Sequence, residues 1–289
     1  MNLIHEFAPA KLNLYLHITG RRADGYHDLD SLVAFATIGD VVVLTPAPEF
    51  SFKIEGKQAA ALAHETHADN LVVKAARSLA ELTGNKLDVQ LSLIKKLPVA
   101  SGIGGGSSDA AAALRALARH WGLAADDPHL AEAAARHGQD VPVCLKIENN
   151  YMTATGVAPA PKLPRTDIVL INPGIGLPTP DVYREYRKSG HAFSPLSRLP
   201  SQPATAKDLA VALKRRSNDL YKPACNLMPP IIQIISALEE TSQCMLARMS
   251  GSGATCFGLY EDGNSAAEAA KKIQASQPSW WVEAGTINA

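Results

Sequence analysis

Gly102, Gly104, Gly105 and Gly106 fall within five consecutive positions, inside the stretch Pro98-Val99-Ala100-Ser101-Gly102-Ile103-Gly104-Gly105-Gly106-Ser107-Ser108. Backbone without Cβ atoms can turn its N–H groups towards a ligand and approach it closely. Ser107-Ser108-Asp109 then opens an alanine-rich run that reads as a helix ending near Trp121-Gly122. The first four amides of a helix have no partner inside it, and the helix dipole favours negative charge there. Loop and helix start together predict a phosphate cradle. The alternating segment Lys86–Ile94 supplies the preceding strand, so the context is right. The pattern is not GxxxxGK[ST], and the HRD and DFG elements of protein kinases are missing. A dinucleotide-binding βαβ unit would need a second strand before Asp126-Asp127, and the residues there are helix and turn.

Three further sets of residues could do chemistry. Lys11 and Asn13 share one face of an alternating strand in Pro9-Ala10-Lys11-Leu12-Asn13-Leu14. Arg21-Arg22-Ala23-Asp24-Gly25-Tyr26-His27 is a turn carrying charge and two rings, and Gly138-Gln139-Asp140-Val141-Pro142 puts a carboxylate just past a helix. Taken singly, each reads as well as a solvated strand face, a surface loop or a turn-stabilising aspartate.

The elements that must hold these residues follow from periodicity and punctuation. Strands are expected at Leu12–Ile18, Asp40–Thr45, Phe50–Ile54 and Lys86–Ile94. Asn70 can cap a helix with Leu71, Ala75, Leu79 and Leu82 at helical spacing, stopped by Gly84. A helix over Pro128–His137 precedes a loop at Gln139–Pro142 and a short strand at Val143–Ile147. The three prolines in Ala158–Pro164 suggest a domain boundary, giving domains 1–160 and 161–289. In the second part, strands are expected at Asp167–Asn172, Met245–Met249, Thr255–Tyr260 and near Trp280–Ala284. Helices are expected at Asp181–Lys188, Ala206–Arg215, Pro230–Glu240 and Ser265–Ala275, with a Ser/Pro-rich connection through Pro203. This is an α+β pattern in both parts.

Composition narrows the partners. The 28 Lys and Arg residues balance 28 Asp and Glu residues among 289, which argues against bulk attraction to nucleic acid or to an anionic membrane. No apolar run approaches the ~20 residues of a bilayer span. The first residues lack a basic segment followed by an apolar one, so no secretory signal is expected. Cys144, Cys225, Cys244 and Cys256 are far apart and have no zinc spacing, as expected of buried thiols in a reducing, cytoplasmic setting.

Together these features resemble the GHMP small-molecule kinases. The resemblance runs through APAKLNLYL (8–16), RRADGYHDLDS (21–31), DNLVVKAA (69–76), LPVASGIGGGSSDAAAAL (97–114), GQDVPV (138–143), LINPGIGLPTPDVY (170–183), NDL (218–220) and MSGSGATCFGL (249–259). It implies an N-terminal α/β domain like a ribosomal-protein fold and a C-terminal ferredoxin-like domain. It also implies transfer of the γ-phosphoryl group of ATP, brought with Mg²⁺, to the 2-hydroxyl of a cytidyl diphosphate alcohol, in the non-mevalonate route to isoprenoids. RRADGYH and PTPDVY favour that acceptor over homoserine or mevalonate. A non-catalytic RNA- or nucleotide-binding module is the rival from another class, and the zero net charge and 6% aromatic content weigh against it.

The resemblance also assigns roles. Asp140 would accept the hydroxyl proton beside Lys11. Pro98, Val99, Ala100, Ser101, Gly102, Ile103, Gly104, Gly105, Gly106, Ser107 and Ser108 would wrap the ATP phosphates, with Asn70, Leu71 and Lys95 near the adenine. Asn13, Tyr26, His27, Thr179 and Tyr183 would hold the acceptor, the rings sandwiching its pyrimidine. Gly251, Ser252, Gly253 and Ala254 resemble a small-residue turn that lets backbone approach the phosphate loop. No dedicated metal cage is expected, and a monomer or a homodimer would serve equally. Asp109 stands where some relatives carry Asn.

Overall fold

The computed structural model describes residues 3–23, 25–188, 190 and 192–288. Asp24, in the RRADGYH segment, and Ser189 and His191, at the start of the Ser/Pro-rich connection, lie outside the described residues. The chain forms two compact units. One comprises Met1–Ala10, Gly39–Val99 and Gly104–Glu148; the other comprises Lys11–Ile38, Ala100–Ile103 and Asn149–Ala289. The long strands β1 (Ile4–Arg21) and β2 (His27–Pro46) contribute to both.

In the first unit, the end of β2 pairs antiparallel with β4 (Val89–Ile94), and β3 (Ser51–Glu55) joins β4 in parallel. Helix α1 (Leu71–Thr83) starts as expected: the Asn70 side chain accepts the Val72 N–H at 3.0 Å. It stops at Gly84, whose φ of 70° is the left-handed conformation glycine adopts without a Cβ penalty. Helix α2 (Gly105–Trp121) buries Ala110–Leu114 and packs on α1, which buries Val72, Val73, Ala76 and Leu79. Its run of alanines lets the two helices approach closely, and α3 (Pro128–Ala135) packs on both.

The strand expected at Val143–Ile147 is instead part of a helix, α4 (Asp140–Lys146). Val141 and Cys144, three apart, are buried on its inner side together with Val143. Pro142 lies in the first turn, where a missing N–H costs no intrahelical bond, so the proline that ended the expected loop is compatible with the helix.

In the second unit the strand order is β2–β10–β7–β9–β8, all antiparallel: β10 (Trp281–Ile287), β7 (Thr166–Asn172), β9 (Cys256–Tyr260) and β8 (Leu246–Met249). The hairpin β5 (Asn150–Thr153) and β6 (Gly156–Pro159) adds to the start of β2. Helices α5 (Thr179–Lys188), α7 (Tyr221–Leu227), α8 (Pro230–Glu239) and α9 (Gly263–Ser276) supply Val182, Ala224, Ile231, Ile234, Leu238 and Ile273 to the core over Val169 and Ile171. Helix α6 (Ala206–Lys214) begins with a capping box in which Thr205 and Asp208 bond each other's backbone N–H.

The alternation of β1 suggested a strand with one wet face. Both faces are buried from Ala8 to Leu16, so Lys11 and Asn13 are only 4% and 3% exposed. Polar groups are buried at that depth when they have specific partners.

Candidate active site

Ala100, Gly102 and Gly104 have φ of 49°, 75° and 62°. Left-handed residues recurring at every second position turn successive N–H groups to one side, an anion-binding concavity. All four carbonyls from Ala100 to Ile103 accept hydrogen bonds from protein donors. Leu177 N–H donates to Ala100 O at 3.0 Å, Thr255 N–H to Ser101 O at 3.0 Å, Ser250 Oγ to Gly102 O at 3.1 Å and Lys11 N–H to Ile103 O at 2.9 Å. With its carbonyls engaged, the stretch has N–H groups to offer an anion.

The small-residue turn does what its composition suggested. A Cβ on Gly102 would fall 2.6 Å from the N and O of Gly253 and from the O of Ser250. Two backbones therefore touch where a side chain would stand. Ser250 lies at the centre: besides donating to Gly102, its Oγ accepts Asn13 N–H at 3.0 Å, joining the strand of Lys11 to the loop. Asn218 secures the turn from behind, donating through Nδ2 to Met249 O and Gly251 O at 2.9 and 2.8 Å. Asn13 Nδ2 donates to Ser31 Oγ at 2.7 Å.

Beyond Ile103, the helix begins at Gly105, two residues earlier than the serines suggested, with Gly104 as a cap that uses no side chain. The amides of this first turn are uncapped by any side chain, as a phosphate site requires. Ser108 Oγ is fully buried and has no hydrogen-bond partner among the described residues. Asp109 points inward to Lys95, whose ammonium donates to Asp109 Oδ2 at 2.7 Å and to Asp40 Oδ2 at 2.6 Å. Burial raises the Asp109 carboxyl to about 8, against the pull of the Lys95 charge and aided by Asp40. Burial lowers the Lys95 ammonium, and the two carboxylates overcome it, leaving a net upward shift. Sequence reading missed Asp40. The available signal was a lone acid opening the apolar run Val41-Val42-Val43-Leu44.

Of the residues assigned to the acceptor, His27 and Tyr183 meet. Their rings stack with centroids 5.1 Å apart and planes 23° from parallel. Tyr186, which sequence reading did not single out, closes on His27 edge-to-face at 5.8 Å. It lies three residues after Tyr183 on α5, the spacing that places two side chains on one helix face. Burial, then the charges of Arg187 and Arg21, push the His27 imidazole below its usual range, so the ring is neutral at neutral pH. Tyr26 is 65% exposed beside it in the chain. Thr179 Oγ1 lies 2.8 Å from Ser252 Oγ, tying the start of α5 to the small-residue turn. In the first unit, Asp140 is half-buried at the first position of α4, and Asn70 and Leu71 start α1; the Leu71 side chain lies beside Gly106.

Residues 70–146 match the GHMP kinases N terminal domain and residues 206–278 match the GHMP kinases C terminal domain. The chain belongs to the GHMP kinase family and is a small-molecule kinase. Among its relatives, a 4-diphosphocytidyl-2-C-methyl-D-erythritol kinase of Parvibaculum lavamentivorans is 50% identical over 282 residues, covering 97% of each chain. One of the same name from Rhodospirillum rubrum is 48% identical over 284 residues, covering 98% of this chain and 92% of its own. A crystal structure of 4-(cytidine 5'-diphospho)-2C-methyl-D-erythritol kinase superposes with a TM-score of 0.80 at 32% identity, over 99% of this chain and 100% of that one. Homoserine kinase from Cytophaga hutchinsonii, at 18% identity and a TM-score of 0.70, shares the fold. No helix among the described residues is long and apolar enough to cross a membrane.

Proposed function

We propose that the chain transfers the γ-phosphoryl group of ATP to the 2-hydroxyl of 4-diphosphocytidyl-2-C-methyl-D-erythritol, giving ADP and the 2-phosphate in the non-mevalonate route to isoprenoid precursors. The observation that carries this reading is 48–50% identity, along 97–98% of the chain, to kinases of that name. The His27 and Tyr183 rings stack on each other with centroids 5.1 Å apart, which leaves no gap for a base between them; they support the reading as an aromatic platform with an outer ring face on which a pyrimidine can stack.

In this reading the acceptor oxygen attacks the γ-phosphorus, the bond to ADP breaks, and the hydroxyl proton passes to Asp140. Proton transfer to a positioned base contributes ~10²–10⁴-fold. Lys11 supplies positive charge to the developing alkoxide, and its backbone N–H holds Ile103 of the loop in place. Residues Pro98–Ser108 hold the triphosphate through backbone N–H groups. Asn70, Leu71 and Lys95 border the adenine side, the Lys95 ammonium being turned to its two carboxylates. Asn13, Tyr26, His27, Thr179 and Tyr183 hold the acceptor. The buried, unbonded hydroxyl of Ser108 fits a hard cation, and with Ser107 it would hold Mg²⁺ arriving with ATP. The cation would neutralise charge on the phosphate oxygens. The substrates are water-soluble, which suits a cytoplasmic enzyme, monomer or homodimer, working without nucleic acid or membrane; 1–160 would form the ATP and catalytic part and 161–289 the second domain.

Asp140→Asn and Lys11→Ala test the assignment. Each should lower turnover by ~10²-fold or more while binding of a non-hydrolysable ATP analogue stays within about threefold. Near-normal turnover in both variants would refute it.

A further inference from the structure

We propose that Lys95, Asp40 and Asp109 form a buried brace that closes the two ends of the phosphate loop, making Lys95 and Asp109 positioning residues for phosphoryl transfer. The proposal rests on the kinase reading above. Its strongest support is where the bonds fall along the chain. At the leading end, Asp40 Oδ1 accepts the N–H groups of Lys96 and Leu97 at 2.5 and 2.8 Å, immediately before Pro98. At the trailing end, Asp109 follows Ser108 directly. Between the ends stands the Lys95 ammonium, 2.6 Å from Asp40 and 2.7 Å from Asp109. Every residue from Pro98 to Ser108 thus lies inside a loop whose two feet are tied by one cation.

The cation itself has little freedom. Lys95 N–H donates to Glu55 O at 2.6 Å and Lys95 O accepts Gln58 N–H at 3.1 Å, so its backbone is held on both sides. A Cβ on Gly105 would come within 3.2 Å of Nζ, so the ammonium lies directly against the first turn of α2, and the glycine leaves room for it. All three side chains are at most 3% exposed.

Stability alone is a poor reason for such a cluster. Taking charges out of water is costly, and apolar residues of similar volume often stabilise a fold equally well or better. The ammonium's hydrogen bonds to Asp40 and Asp109 are directional, and what they fix here is the separation between strand end and helix start. That separation sets where the loop's N–H groups point.

Binding of a non-hydrolysable ATP analogue by calorimetry, with Michaelis constants for ATP and the cytidyl alcohol, tests the proposal on the full chain. Asp109→Ala should raise the analogue Kd and the ATP KM about tenfold and leave the acceptor KM within about twofold. Asp109→Asn, which keeps an oxygen to accept from the ammonium, should recover the analogue Kd to within about threefold of wild type. If Asp109→Ala does not fold, Lys95→Gln serves in its place, with a rise of about fivefold expected. A lower melting temperature with an unchanged analogue Kd would show structural filling alone and overturn the brace. A wild-type chain that binds no ATP analogue would overturn the kinase reading itself, and the positioning role with it.

Discussion

The glycine-rich loop and the His27–Tyr183 corner are built from opposite materials. In the loop, backbone does the work: three left-handed residues, four engaged carbonyls and a glycine-to-glycine contact at Gly102. Four of its eleven residues are glycines. In the corner, side chains do the work, and the two rings come from the start of β2 and from α5, more than 150 residues apart in the chain. The backbone site has no room for a Cβ at Gly102. A ring site depends on long-range packing and tolerates substitution by loss of contact rather than by collision. In the proposed reaction the first serves ATP and the second serves the acceptor, so mutations should separate the two Michaelis constants.

Gly102→Ala should have the largest effect. The new Cβ meets three backbone atoms at 2.6 Å, and φ is 75°, so neither contact nor conformation can relax cheaply. Left-handed strain and overpacking of ~1–2 and ~1–3 kcal/mol predict a rise in ATP KM of about 10²-fold, with the acceptor KM nearly unchanged. A normal ATP KM in a folded Gly102→Ala protein would break the distinction. His27→Ala and Tyr183→Ala should act in the opposite sense. Loss of one stacking partner, at ~1–3 kcal/mol, should raise the acceptor KM about tenfold or more and leave the ATP KM alone. Equal shifts in both constants would remove the cytidine assignment.

The smallest effect expected is one of pH. Burial holds the Asp109 carboxyl at about 8, above the range of an unfolded aspartate. Between about pH 4 and pH 8 the folded chain therefore binds more protons at this site than the unfolded chain does, and stability falls as pH rises through that window. Asn cannot titrate. The drop in melting temperature between pH 5 and pH 8 should accordingly be shallower in Asp109→Asn than in wild type. A steeper drop in the variant would contradict the assigned shift.

The sequence made the loop readable because glycine clustering, a preceding strand and an alanine-rich helix are local features. The cap at Asn70 and the stop at Gly84 were readable for the same reason. What lay beyond reach was whatever depends on distant partners. The side chain of Asp109 could point either way until Lys95 and Asp40 were seen around it. Ser250 looked like one more small residue in a turn, and its partners Asn13 and Gly102 lie 237 and 148 residues earlier in the chain. Asp140 was read in the loop Gln139–Pro142, yet Val141 and Cys144 already carried the helical spacing. The ring pair was suggested by family resemblance, and Tyr186 was missed although it stands three residues after Tyr183, a spacing that puts both rings on one helix face.

One assay tests the central claim most directly. The purified chain is incubated with Mg²⁺, ATP and, in parallel, 4-diphosphocytidyl-2-C-methyl-D-erythritol, homoserine or mevalonate, and the products are followed by phosphorus NMR. The account predicts ADP together with a new phosphomonoester at the 2-position of the cytidyl substrate, and no transfer to the other two alcohols. Phosphorylation of homoserine or mevalonate in preference to the cytidyl alcohol, or ATP left intact with all three, would contradict it.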